Sequence, residues 1–470
     1  MSRGLGDVYK RQDVNWLDNL KLRASYGEVG NDGINSSLWA QNWEATSDKR
    51  YQGAVNGAFL PSYSLAADMA NKNLKWETTV TRNIGIDFGF FNSRLTGTID
   101  AYWNTTKDLL MKTAIPGITG FTTTYANVGQ TSNKGVEIAL QGVLVKNRDW
   151  NVTAGFNINF NRGKVDKLAD NVTGLYGTEW ATSSTFPKSD YVLKEGRPVG
   201  LVRGLTADGF YTTDDFTYEN GVYTLKKGVP DVTSAVFPNY HLHSGMNERP
   251  AGQLAYPGMA KFKDLNDDGF INDDDVDVIG DMTPIHTGGF NINATYKNFD
   301  LGLYFNWSYG NEIYNVNKLA ALYGYKEGAV YENKLSIVKD CYKIYDVVNG
   351  ELVALTTPEQ LNAANANAKL PLAYSENGYV STLGIEDGSY LRLNTLTLGY
   401  TLPKSVLQKA GISNLRIYGS IYNVFTITGY SGIDAEVSTS TSTKTYPQLG
   451  MDWGTYPRAR SFVLGVNLSF

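Results

Sequence analysis

The sequence predicts an all-β protein, an antiparallel transmembrane β-barrel wall with long loops on one side. Three observations predict it. Apolar and polar residues alternate with period two over runs of about twelve residues, longer than the strands of a soluble sandwich. Short and long connections between those runs alternate without a slip. Aromatic and small polar residues dominate, with 31 Tyr, 19 Phe, 9 Trp and 48 Gly in 470 residues and only 19% charged. Mean hydropathy is nevertheless slightly negative, so the apolar side chains must be interleaved with polar ones, as a strand between lipid and water requires.

The clearest hairpin spans 79–104. Ile84, Ile86, Phe88 and Phe90 share one face and Asn83, Gly85, Asp87 and Gly89 the other. Asn92-Ser93 reads as a tight turn before Leu95, Ile99, Ala101 and Trp103 resume the alternation. The pattern recurs at Trp150 to Phe160, at Phe290 to Trp307 around a Lys297-Asn298 turn, and at Phe462 to Phe470. About ten crossing strands follow, over 18–27, 79–91, 94–104, 133–145, 150–161, 285–297, 299–310, 388–402, 413–427 and 457–470. Long connections cover 28–78, 105–132, 162–284, 311–387 and 428–456 and are expected outside the cell. In 389–402 the apolar phase slips between Leu393 and Leu396, which a β-bulge near Asn394 or a strand extending beyond the membrane would explain. Short helical segments are expected at 403–411 and 354–368.

Composition excludes several classes. No run of about eighteen apolar residues exists, so no transmembrane helix is expected. A net charge of −5 without a basic run argues against nucleic acid as a partner. Cys341 is alone, so no internal disulfide forms. No Gly-x-Ser-x-Gly occurs, and His241, His243 and His286 complete neither a triad nor a zinc site, so no enzyme is expected. Residues 1–12 are polar and basic with no secretory stretch. The expectation is a foreign edge over 1–12 and a barrel over 13–470 whose plug domain lies elsewhere.

The sharpest local motif is Asp264 to Asp275, which fits a calcium loop with oxygen ligands at positions 1, 3, 5 and 12, Gly at 6 and an apolar residue at 8. Candidate ligands are Asp264, Asn266, Asp268, Asp275 and the Phe270 carbonyl, against the alternative of an acidic turn without metal. A structural calcium is expected because six acidic side chains in twelve residues repel unless neutralised. Trp39, Trp43 and Trp180, with Tyr51 and Tyr191, are loop aromatics able to stack on sugar rings or simply to anchor loops.

Several segments resemble the SusC/RagA family of TonB-linked outer-membrane proteins. They are Leu20-Lys-Leu-Arg-Ala-Ser-Tyr-Gly27, Asn127-Val-Gly129 with Asn133-Lys-Gly-Val-Glu137, and Ser389-Tyr-Leu-Arg-Leu393 with Leu396-Thr-Leu-Gly-Tyr400. Asn414-Leu-Arg-Ile417, Asn423-Val-Phe425, Gly429-Tyr430 and Tyr456-Pro457-Arg458 follow in the same order. The resemblance implies a barrel of roughly 22 strands with a plug, of which this chain holds the C-terminal strands. It further implies TonB-driven import of oligosaccharides or, alternatively, oligopeptides, with a SusD-like surface lipoprotein as lid and TonB reached through an N-terminal region. Phe470 resembles the terminal aromatic that serves as a barrel assembly signal. A passive porin and an adhesion barrel are the competing functions.

Overall fold

The computed structural model describes residues 15–31, 36–41, 43–46, 54–56, 58–59, 62–65, 68–169, 174–178, 180–181, 185–237, 248–322, 335–373, 378–408, 411–438 and 449–470. Ten long strands form one meander in chain order: β1 (Leu17–Asn31), β2 (Glu77–Phe90), β3 (Leu95–Ala114), β4 (Thr123–Lys146), β5 (Trp150–Lys167), β6 (His286–Tyr296), β7 (Phe299–Tyr309), β8 (Tyr390–Thr401), β9 (Asn414–Thr428) and β10 (Ser461–Ser469). Every neighbouring pair is antiparallel. The sheet does not close, and β1 and β10 are its edges among the described residues. A short piece, Asp68–Met69, adds to β4 in parallel.

The turns follow from local chemistry. Tyr296 pairs with Phe299 across a two-residue turn in which Lys297 adopts φ 50°. The connection after β4 is an Asx-turn, with Asn147 Oδ1 accepting from the amides of Asp149 (3.0 Å) and Trp150 (2.8 Å). Between β2 and β3 the expected two-residue turn is instead four residues, with Phe91, Asn92 and Ser93 all at positive φ. Asp18 receives the Ser93 amide at 2.7 Å and holds that conformation.

Two features of the strands matter for register. Asn394 is skipped by both neighbours: Phe305 pairs with Leu393 and Tyr304 with Thr395, while across the other edge Leu393 pairs with Phe425 and Thr395 with Tyr422. Of the two explanations for the apolar phase slip, this is the bulge; it returns Leu396, Leu398 and Tyr400 to the face of Leu391 and Leu393. The hairpin of β3 and β4 runs much further than the alternation suggested. Pairing continues to Ala114 opposite Thr123, so most of 105–132 is strand and not loop. Register shifts at Thr106, Leu109 and Leu110 and a positive φ at Asp108 break the period-two signal there without breaking the ladder.

The outward face is apolar and exposed. Phe462 (71%), Leu464 (89%), Val466 (62%) and Leu22 (72%) stand open. An apolar surface of this extent is sustained only against lipid or another apolar surface. Aromatic side chains collect at its two margins. On the short-turn side Trp150 meets Tyr296 (4.3 Å between centroids) and Phe299 meets Tyr400 (4.7 Å). On the long-loop side Phe160, His286, Trp307 and Tyr309 gather, with His286 5.0 Å from Tyr309. Tyr296 and His286 are the two ends of β6. At about 3.3 Å per residue and a tilt of about 40° their separation is about 25 Å, the height of an apolar band between aromatic girdles.

The buried core lies elsewhere. The described parts of the connections 168–285 and 310–389 fold against each other outside the wall around Leu205, Tyr211, Tyr223, Tyr256, Phe262, Ile271 and Leu361, all fully buried. Within them Pro358–Ala364 is a helix closed by a capping box between Thr357 and Gln360, inside the expected 354–368. Lys404–Leu407 is the helical turn expected between β8 and β9.

Candidate functional site

The surfaces that a solute would meet are the inner face of the wall and the loop body above it. On the inner face, glycines make room for long polar side chains. Arg23, Gly85 and Asp100 lie in one cross-strand row. The Arg23 guanidinium reaches across Gly85 to bond Asp87 Oδ2 through Nε (2.9 Å) and Asp100 Oδ2 through Nη2 (2.8 Å). A Cβ at Gly85 would lie 2.7 Å from Arg23 Nη2. Gly399 repeats the device beneath Arg416, which donates from Nε to Asp300 (2.9 Å) and lies 4.7 Å from the Tyr418 ring centroid. Between these pairs the face is hydroxyl and amide. Tyr102 donates to Asn161 (2.8 Å), Tyr304 to Asn293 (3.1 Å), and Thr397 and Ser420 share a bond of 2.8 Å.

A second cluster ties the root of the last long connection to the wall. Arg392 on β8 is 2% exposed and donates from Nε to Thr426 (3.0 Å) and from Nη1 to Glu436 (3.1 Å), and Nη2 bonds Asp434. Arg458 joins the same two carboxylates, 2.9 Å from Glu436 and 3.6 Å from Asp434. Arg392 and Arg458 come from two of the sequence segments singled out above; only the fold reveals that they share partners. Buried carboxylates brace the loop body in the same spirit. Asp231 accepts the amides of Leu254 (3.0 Å) and Ala255 (2.7 Å), and Asp190 those of Trp180 (2.8 Å) and Ala181 (3.0 Å).

The acidic loop curls on hydrogen bonds between its own side chains and amides. Asp264 Oδ2 accepts from the Gly269 amide (2.7 Å), Asp268 Oδ1 from the Phe270 amide (2.8 Å), and Asn266 Nδ2 donates to Asp268 Oδ2 (3.0 Å). Asp267 and Gly269 take the left-handed conformations the curl needs. The oxygens of Asp264, Asn266 and Asp268 and the Phe270 carbonyl all accept hydrogen bonds from within this one curled loop. Asp275 is fully buried and its two oxygens accept the Leu265 and Asn272 amides (2.7 and 2.8 Å), so it closes the loop even without a ligand role. The three or more charged or His/Cys ligands of a dense metal cluster are not found together among the described residues.

The aromatic candidates separate. Trp39 (59%) and Trp43 (66%) stand exposed. Trp180 is half-buried, its ring edge-on to Tyr314 with 6.5 Å between centroids, and packs on a core cluster that includes Tyr191. Tyr191 is 3% exposed and donates to the Leu449 carbonyl (2.9 Å), which makes it a packing residue and not a sugar platform. Tyr51, His241 and His243 lie outside the described residues, as do residues 1–12. His286 Nδ1 accepts from Trp307 Nε1 at 3.0 Å within the girdle. Phe470 is 88% exposed just beyond β10.

A meander of long strands, greasy outside and polar inside, with girdles at both margins and folded loops on one side, defines a transmembrane β-barrel wall. The family described as TonB dependent receptor-like, beta-barrel matches residues 5–245, and the chain belongs to that family of outer-membrane proteins. A TonB-dependent receptor of Formosa agariphila is 30% identical over 98% of this chain and 40% of its own length. The TonB-dependent receptor SusC of Bacteroides thetaiotaomicron is 27% identical over 98% of this chain and 38% of its own. The chain thus spans about two-fifths of the length of these curated relatives. Among solved structures, the RagAB peptide transporter shares the fold, with a TM-score of 0.68 and 24% identity over 98% of this chain and 42% of that one.

Proposed function

We propose that the full-length protein takes up oligosaccharides across the outer membrane, energised through TonB and working with a SusD-like surface lipoprotein. The similarity to SusC along the whole of this chain is the observation that carries the reading. The chemistry of the inner face supports it: hydroxyls and amides offer exchangeable hydrogen bonds to a neutral polyol, while Arg23 and Arg416 are compensated by their own aspartates. Exposed Trp39 and Trp43 add apolar platforms for sugar C–H faces.

Uptake of labelled oligosaccharides and, in parallel, oligopeptides by cells carrying the full-length protein tests this. Oligosaccharide uptake should vanish when the TonB-contacting segment is deleted. Persistence after deletion would establish a passive pore, and uptake of peptides alone would replace the cargo. We also propose that the 264–275 loop holds a structural calcium through Asp264, Asn266, Asp268 and the Phe270 carbonyl, which would stiffen the loop body, and that Phe470 is read during barrel assembly.

A further inference from the structure

One cross-strand row on the outward face of the wall carries cations. Ala24, Ile84, Ala101, Val136 and Phe160 stand in register across β1 to β5, the last of them in the girdle on the long-loop side. Two residues further toward the loops, side chains return to the same face. There Tyr26 pairs with Arg82, Trp103 with Lys134, and Lys134 with Arg162. The pairing of Asn83 with Tyr102 sets Arg82 opposite Trp103, so the five form one row. At about 3.3 Å per residue and a tilt of about 40°, this row stands about 5 Å beyond the girdle, at the level of lipid headgroups. Trp103, Lys134 and Arg162 are exposed there.

The charges of this row lack an anion. Lys134 and Arg162 lie directly opposite each other, and a like-charged cross-strand pair destabilises a sheet unless something neutralises it. Arg162 Nη1 donates to the Pro284 carbonyl (3.0 Å), which orients the guanidinium and leaves its charge unmet. Arg82 lies 5.9 Å from the Tyr26 ring centroid. Among the described residues no carboxylate forms an ion pair with Arg82, Lys134 or Arg162. Further up these strands Asp166 serves Lys164 at 3.0 Å, and Glu28 takes the Tyr26 hydroxyl. The inner face differs, since Arg23 and Arg416 there each bond their own aspartates.

Position selects the occupant. An anion that reaches the outward face at headgroup depth belongs to a lipid of the leaflet on the long-loop side, which is the outer one. Phosphate suits the donors, because a guanidinium offers a fork to two oxygens and an ammonium a point charge. We propose that this row binds a phosphorylated lipid headgroup of the outer leaflet, its phosphate held between Lys134 and Arg162. Arg82 adds attraction at longer range, and Trp103 lies against the boundary between headgroup and acyl chains. Such a site is independent of what the protein imports.

The test is titration of the full-length protein in detergent with monophosphorylated lipid A, with the dephosphorylated form and with inorganic phosphate, bound lipid being counted by native mass spectrometry. A cation at a membrane surface is worth about fivefold in binding. The phosphorylated form should therefore bind more than about tenfold more tightly than the dephosphorylated one, and Lys134→Gln with Arg162→Gln should erase that preference. Lys146→Gln, which removes a charge at the short-turn margin, should leave it unchanged. Lys134→Gln should stabilise the lipid-free protein by removing a like-charged neighbour, yet destabilise it in phosphatidylethanolamine vesicles that contain the phosphorylated lipid. A merely structural Lys134 would shift both in the same direction. Equal binding of the two lipid forms, or undiminished preference in the folded double variant, overturns the site. Displacement of the lipid by millimolar inorganic phosphate overturns the lipid as the source of the anion.

Discussion

Replacing Arg392 with Ala should release the root of the last external connection while leaving the wall intact. The guanidinium is 2% exposed and Asp434 7%, so their ion pair is buried. Its removal leaves Asp434 with the Glu436 amide at 2.9 Å and, as counter-charge, Arg458, 3.6 Å away on a side chain 49% exposed. Breaking one side of a buried pair costs about 3–5 kcal/mol, because the remaining charge is uncompensated. Arg458→Ala removes a half-exposed partner and should cost about 1 kcal/mol or less. The double variant Arg392→Ala with Asp434→Ala should recover much of the loss, since no buried charge is then orphaned. Hydrogen exchange of the full-length protein in detergent reads this directly. The opening equilibrium of 429–438 should rise roughly a hundredfold or more for Arg392→Ala, with 414–422 on β9 unchanged as the internal reference. Equal effects of Arg392→Ala and Arg458→Ala, or no effect of either, would refute the argument that burial sets the magnitude.

Four further outcomes are expected. Phe305→Arg, mid-way along β7 on the outward face, should destabilise the barrel in vesicles by about 2–4 kcal/mol in urea unfolding, whereas Thr98→Arg on the inner face should cost little. Gly97→Val should destabilise by about 1–3 kcal/mol, because a Cβ there meets Phe88 Cζ at 2.6 Å and the rigid Ala139 carbonyl at 2.8 Å, while Gly117→Ala, in open space, should be neutral in the same assay. Burial pushes the Glu386 carboxyl upward, but the Ser431 amide and hydroxyl and the Lys318 ammonium hold it below the ordinary range. Its contribution is therefore complete above about pH 4.3 and lost as pH falls through the depressed value, so acid should raise exchange at 429–433, and Glu386→Gln should remove that dependence. Calcium should slow exchange of 264–275 relative to chelator, and Asp264→Ala or Asp268→Ala should abolish the difference; indifference of the wild-type loop to calcium would leave it an acidic turn.

Much of the wall was legible because period two is a local property. Each strand carries its own facing in the order of its side chains, and even the Asn394 bulge announced itself as a slipped phase. Where facing ceased to alternate, legibility ceased as well. The upper arms of β3 and β4 stay paired through backbone hydrogen bonds that no side-chain pattern records. The acidic loop is a local feature of the same kind, since its side-chain oxygens come from one short stretch. The sequence could not, however, tell that Asp275 spends both oxygens on backbone amides.

The sequence by itself determined where the wall strands lie and their two faces, which depend on neighbours within about a dozen residues, and the family resemblance, which depends on the order of short segments along the chain. Only the tertiary structure decided that the buried core lies in the loops, where Tyr211 and Leu361 come together from connections far apart in the chain. It alone set Arg392 against Asp434 and Asp452 beneath Tyr430, 42 and 22 residues apart. The physical reason is that lipid rewards a repeating local pattern, whereas a folded loop body is held by specific contacts whose partners are chosen by packing.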